Sequence, residues 1–152
     1  MNKISFEFVE QRAKSDCVIS SIAMFTGRSY EEVLEAAGDK YVPNEGTRDP
    51  AGVLVNLGYQ DSAPWRSREN GTGRQFKTHY LVDAINPKWF CKLMWGRECM
   101  FSVPSLNIEG GWHMVYYDGH DVWDPNPTTK KRYEKLEDLE PREVYMWQVE
   151  KK

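Results

Sequence analysis

QRAKSDCVISSIAMF, residues 11–25, runs from a polar loop into an apolar helix and sets Cys17 at the junction. Ser15 and Asp16 are both good N-cap residues, and VISSIAMF behind them carries helical apolar spacing. With Asp16 as the cap, Cys17 falls in the first helical turn. Free backbone N–H groups and the positive end of the helix dipole favour a thiolate over a thiol there. That environment suits a nucleophile. A small buried packing residue is the competing reading for any single cysteine. The stretch GGWHMVYYDGHDVWDP, residues 110–125, decides between them.

Asp118-Gly119 within that stretch is a two-residue hairpin signal, and the turn fixes a register. Taken as the loop, it sets Tyr117 against His120, Tyr116 against Asp121, Val115 against Val122 and Met114 against Trp123. His113 then faces Asp124. Directly opposed residues share a sheet face with Cβ atoms roughly 4.5–5.5 Å apart, so strand pairing delivers a carboxylate to the imidazole. A carboxylate so placed fixes the tautomer and orientation of a catalytic base. Other partners fit less well. Asp121 points to the opposite face and Asp118 lies in the turn. His120 is roughly 13 Å from the His113 level at strand rise, and His79 stands in or beside a polar loop. A surface ion pair is the alternative for His113–Asp124. Gly110-Gly111 just before it would let a substrate backbone approach closely.

The rest of the chain reads outward from these two stretches. ISFEFVEQ (4–11) alternates as a short edge strand. The Cys17 helix stops near Gly27. Ser29 and Glu32 have capping-box spacing for a second helix ending at Gly38, and Asp49-Pro50 opens a third that reaches Gly58. Residues 61–78 lose periodicity and carry Arg66, Arg68, Arg74 and Lys77; a long loop of this kind is a substrate-facing flap or a solvated insertion. A helix is expected from Asn86-Pro87 to Gly96, with Trp89, Phe90, Cys91, Leu93 and Met94 in its packing. Then β character takes over: ECMFSVPSL with Cys99, stopped by Pro104, followed by WHMVYY, HDVWD and finally REVYMWQVE. YEKLEDLE between the last two reads as a helical turn. Helices first and an antiparallel sheet second predict one α+β domain over 1–152, with a helical part about 16–96 and a β part about 97–150.

Composition narrows the function classes. A net charge of −3 on 152 residues argues against a nucleic-acid partner, which calls for a basic stripe. Cys17, Cys91 and Cys99 have no CxxC spacing and no histidine pair beside them, so no metal is implied, and no organic cofactor either. An odd cysteine count points to reduced thiols in a cytoplasmic setting. The first sixteen residues hold no apolar core of signal-peptide length, and no segment has the length of a membrane span, so no membrane partner is expected.

The order Gln11-x5-Cys17, helix, Gly-Trp-His113 on a strand and Asp124-Pro125 after a DG hairpin resembles the papain-like cysteine peptidases. Within them it is most similar to the bacteriocin-processing, double-glycine-leader peptidases and their stand-alone peptidase-like relatives. The resemblance spans Gln11 to the last strand and is sharp at these short motifs. It implies a papain-like fold with Cys17 as nucleophile, His113 as general base and acid, Asp124 orienting the imidazole and Gln11 in the oxyanion hole. One departure is plain: Val18 stands where the family usually has glycine. The expected function is a small intracellular cysteine peptidase or related acyl-transfer hydrolase, of bacterial or phage type, acting on a peptide or protein. Two other classes compete. One is a catalytically impaired papain-like module that binds peptide or protein in an aromatic cleft, favoured by Val18. The other is a structural or interaction protein, in which Cys17 and His113 would lie far apart.

Overall fold

End signals written into the sequence set the three helices. The computed structural model describes residues 6–13, 15–43, 45–61, 74–80, 92, 94–104, 112–126 and 141–147. Helix α1 (Cys17–Thr26) stops at Gly27, whose φ of 74° is left-handed and whose N–H returns to Ala23 O. Helix α2 (Tyr30–Ala37) opens on a complete capping box: the Ser29 side chain accepts from Glu32 N, and the Glu32 carboxylate accepts from Ser29 N. A 3-10 turn, Gly38–Lys40, follows. Helix α3 (Pro50–Asn56) starts with Pro50 in its first turn and Asp49 accepting from Gly52 N at 3.0 Å. Each of these signals acts where the sequence places it.

The strands are β1 (Gln60–Asp61), β2 (Gln75–Tyr80), β3 (Cys99–Pro104), β4 (Trp112–Tyr117), β5 (Val122–Trp123) and β6 (Glu143–Trp147). They form one sheet in the order β1-β2-β6-β3-β4-β5. The fold is α+β as expected, with one correction. The β1–β2 pair is parallel while the others are antiparallel, so the sheet is mixed. Its first two strands also come from the part of the chain read as helical.

Period-two alternation sorts the central strands between two cores. Met100, Met114, Tyr116, Tyr145 and Trp147 point to the helices, where they meet Ile19, Ile22, Phe25, Val33 and Leu54. Cys99, Phe101, Val103, Val115, Tyr117, Val144 and Met146 build a second cluster on the other face. Helix α1 lies along β4, with Ser21 Oγ donating to Met114 O at 3.2 Å. Phe25 stacks on Trp147 at 4.0 Å, an aromatic pair worth about 0.5–1.5 kcal/mol beyond its burial. The helix that opens on Cys17 is thus fixed to the strand that carries His113.

Four local expectations change. Residues 6–11 are not a strand; Phe6 and Phe8 instead set their rings against Tyr116 and Trp123. The loop read through Thr78 ends earlier, because Gln75–Tyr80 pairs along β6, and His79 belongs to that strand. HDVWD contributes only Val122–Trp123 as strand. The hairpin register is shifted, as described below. Most of the helix expected over 86–96, the packing of Cys91, most of the 61–78 loop and the turn at 133–140 lie outside the described residues; Met94, within them, is buried as expected.

Candidate active site

The turn between β4 and β5 is displaced by one residue from the sequence reading. Tyr117 pairs with Val122 and Tyr116 with Trp123, and Asp118 N donates to Asp121 O at 3.1 Å. The two-residue loop is therefore Gly119-His120, with Gly119 at φ 92°, a conformation glycine adopts at the first loop position of a hairpin. Asp118 explains the displacement. Its buried carboxylate accepts from His120 N, Asp121 N and Trp123 Nε1 at 2.8, 2.7 and 2.9 Å, a side-chain turn that needs Asp118 outside the loop.

Moving the loop by one residue moves the pairing by two. Extended one step past Trp123, the ladder sets Asp124 level with Val115 rather than with His113. Side-chain parity survives a shift of two, whereas a shift of one would have reversed it. Asp124 consequently meets His113 as a diagonal neighbour. Asp124 Oδ1 lies 2.7 Å from His113 Nε2 and also accepts from Asn126 N at 2.8 Å. The Asp124 side chain is 3% exposed and that of His113 17%, so this is a sequestered contact rather than a surface ion pair.

His113 makes a second hydrogen bond, to the Cys17 side chain. Burial of the ring opposes its protonation. The bonds to Asp124 and Cys17, with the charges they carry, outweigh burial and push the pKa from 6.5 up to about 10. The ring is thereby held protonated at neutral pH beside the Cys17 side chain; a neighbouring imidazolium favours the thiolate, the nucleophilic form of a cysteine. Cys99 is the contrast: it is fully buried beside Met94, and burial pushes its thiol well above the usual range.

Cys17 opens α1 as expected, but Asp16 departs from its expected role. Asp16 occupies the N-cap position and its carbonyl accepts from Ser20 N, yet its side chain makes no cap bond. Its buried carboxylate accepts instead from the hydroxyls of Tyr30 and Tyr41. These two tyrosines were not singled out from the sequence. Their spacing from Asp16, on the next helix and beyond it, carries no local signal.

Gln11 is buried beside the same site. Its backbone N–H donates to Pro125 O at 2.8 Å, which ties the Gln11 loop to the segment bearing Asp124. One donor of its side-chain amide goes to Ala13 O at 3.1 Å. Val18 packs in part against the helix-side core, and Trp112, adjacent to His113, is 54% exposed with the Arg142 guanidinium 4.9 Å from its ring centre. Cys17, His113 and Asp124 are thus joined by hydrogen bonds, and Gln11 adjoins them. Cys17 and His113 therefore lie together rather than far apart. Among the described residues no helix is long and apolar enough to cross a membrane, and no group of three or more histidine, cysteine or acidic side chains gathers around a common metal position. Comparison with protein-family models, curated proteins and solved structures finds no match to this chain.

Proposed function

We propose that the protein is a cysteine peptidase, or a related acyl-transfer hydrolase, with a papain-like division of labour. The observation that carries this reading is the double engagement of His113, to Asp124 on one side and Cys17 on the other. Cys17 thiolate attacks the carbonyl carbon of a peptide or amide bond. The resulting oxyanion is held by the Cys17 backbone N–H and the Gln11 side chain, donors placed where charge develops. His113 imidazolium gives its proton to the leaving amine as the C–N bond breaks, leaving a thioester on Cys17. Water then attacks the thioester while His113 takes its proton, and the carboxylic acid product departs as the thiolate re-forms. Asp124 holds the ring in orientation and stabilises its charge throughout. Thiolate chemistry of this kind fits a reducing compartment.

A second reading, a peptide-binding module of the same fold without turnover, draws on Val18 and on the exposed Trp112 ring beside His113. The test is labelling of the native protein with a peptide-derived electrophile, read by mass spectrometry, alongside hydrolysis of a mixed peptide pool. Label on Cys17, lost in Cys17→Ala, with new peptide termini supports the hydrolase. Peptide binding without label or cleavage supports the module.

A further inference from the structure

Asp16 holds a position where an aspartate normally caps the helix it precedes, and here it does not. An N-cap carboxylate accepts from the backbone N–H groups of the second or third helical residue, which in α1 are Val18 and Ile19. The first intrahelical bond is Ser20 N to Asp16 O, so the N–H groups of Cys17, Val18 and Ile19 have no acceptor within the helix. Both oxygens of the Asp16 carboxylate are turned away from them, Oδ2 to Tyr30 Oη and Oδ1 to Tyr41 Oη.

The elements that hold Asp16 are themselves anchored. Tyr30 is the first residue of α2, behind its complete capping box, and its ring lies under the Arg12 guanidinium at 4.1 Å. Tyr41 leads into a turn closed by Val42 N to Gly46 O and Gly46 N to Val42 O. Gly46 sits at φ 76°, so close beneath this segment that a Cβ on it would stand 2.3 Å from Ser15 O. The Ser15–Asp16 peptide therefore lies in a cradle of α2 and the 41–46 turn.

We propose that Tyr30 and Tyr41 act as positioning residues that keep the Asp16 carboxylate off the first turn of α1. Resting on the hydrolase reading, this leaves the positive end of α1 uncompensated beside Cys17 and keeps a negative charge away from the thiolate. Released, Asp16 swings to its ordinary capping position. There it accepts from Val18 N and Ile19 N, neutralises the positive end of the helix and opposes ionisation of Cys17.

The test is the alkylation rate of Cys17 by iodoacetamide across the pH range of thiol ionisation, in four proteins. These are wild type, Tyr30→Phe/Tyr41→Phe, the same pair with Asp16→Ala, and Asp16→Ala alone, each checked for folding by circular dichroism. The double variant is expected to react roughly tenfold more slowly near neutral pH, with its pH profile moved upward, because a carboxylate at the helix start disfavours thiolate. Adding Asp16→Ala to it should restore most of the rate, since alanine cannot cap. A purely structural cluster predicts the reverse, the triple variant being as slow as the double or slower, and that result overturns the proposal. If the double variant does not fold, Tyr41→Phe with and without Asp16→Ala makes the same comparison. Wild-type Cys17 reacting no faster than a free thiol would instead remove the hydrolase reading, and the proposal with it.

Discussion

Asp124→Asn removes a charge from the site while keeping shape and a hydrogen-bond acceptor. Folding moves the His113 pKa from 6.5 to about 10 against the opposing effect of burial. A displacement of that size corresponds to roughly 5 kcal/mol in favour of the charged ring, supplied jointly by Asp124 and Cys17. Losing the carboxylate share, taken as about half, should cost about 2–3 kcal/mol. At about 2–4 °C per kcal/mol for a domain of this size, the melting temperature should fall by about 4–12 °C. The sign with pH follows from a histidine whose pKa rises on folding. Its contribution is fully present below the unfolded value near 6.5 and is lost as pH climbs through about 10. The deficit of Asp124→Asn relative to wild type should therefore be greatest near pH 6 and close above pH 10. Imidazole nitrogen NMR should show the ring pKa drop in the variant, and turnover should fall by roughly four orders of magnitude, the scale for a catalytic histidine deprived of its carboxylate. An equal deficit at both pH values, or an unmoved ring pKa, would refute this account of His113.

Four further outcomes are expected. Asp121→Asn should leave turnover unchanged in a peptide assay, because that carboxylate adjoins His120 and not His113. Asp118→Ala should lower stability by roughly 2–4 kcal/mol in urea unfolding, since one buried and two partly buried donors lose their acceptor. Gln11→Ala should cut turnover by roughly one to three orders of magnitude, the scale for one oxyanion donor, with little change in melting temperature; unchanged turnover would make Gln11 only a loop residue. Gly46→Ala should both destabilise the fold and slow alkylation of Cys17, because the added Cβ collides with Ser15 O in the cradle.

What the sequence makes legible here is mostly local. Capping chemistry at Ser29, Glu32, Asp49 and Pro50 needs only neighbours within one turn, and those helix starts stand where they were read. The alternation of CMFSVP, WHMVYY and EVYMW likewise survives, because both faces of those strands are buried and each face selects its own residues. The failures are contests between local signals and partners far along the chain. Asp16 has the chemistry of a cap, but two tyrosines, one opening α2 and one beyond it, take its carboxylate. Asp118-Gly119 has the chemistry of a loop, but Asp118 gains three hydrogen bonds by leaving it. Residues 75–80 looked like the tail of a polar loop because Lys77 and Gln75 interrupt the apolar pattern; Phe76, fully buried opposite Trp147, was the available signal. The His113–Asp124 pairing was legible despite the wrong register, since a two-residue shift preserves the face.

The most direct test of the central claim is competitive alkylation of the native protein by limiting iodoacetamide at neutral pH, with Cys17, Cys91 and Cys99 resolved by peptide mass spectrometry. A thiol held against a protonated His113 should be modified well ahead of the other two, and Cys99, sealed in the second core, should stay unlabelled until the protein unfolds. Equal modification of all three cysteines, or Cys17 lagging behind either of the others, would contradict an activated nucleophile at the start of α1.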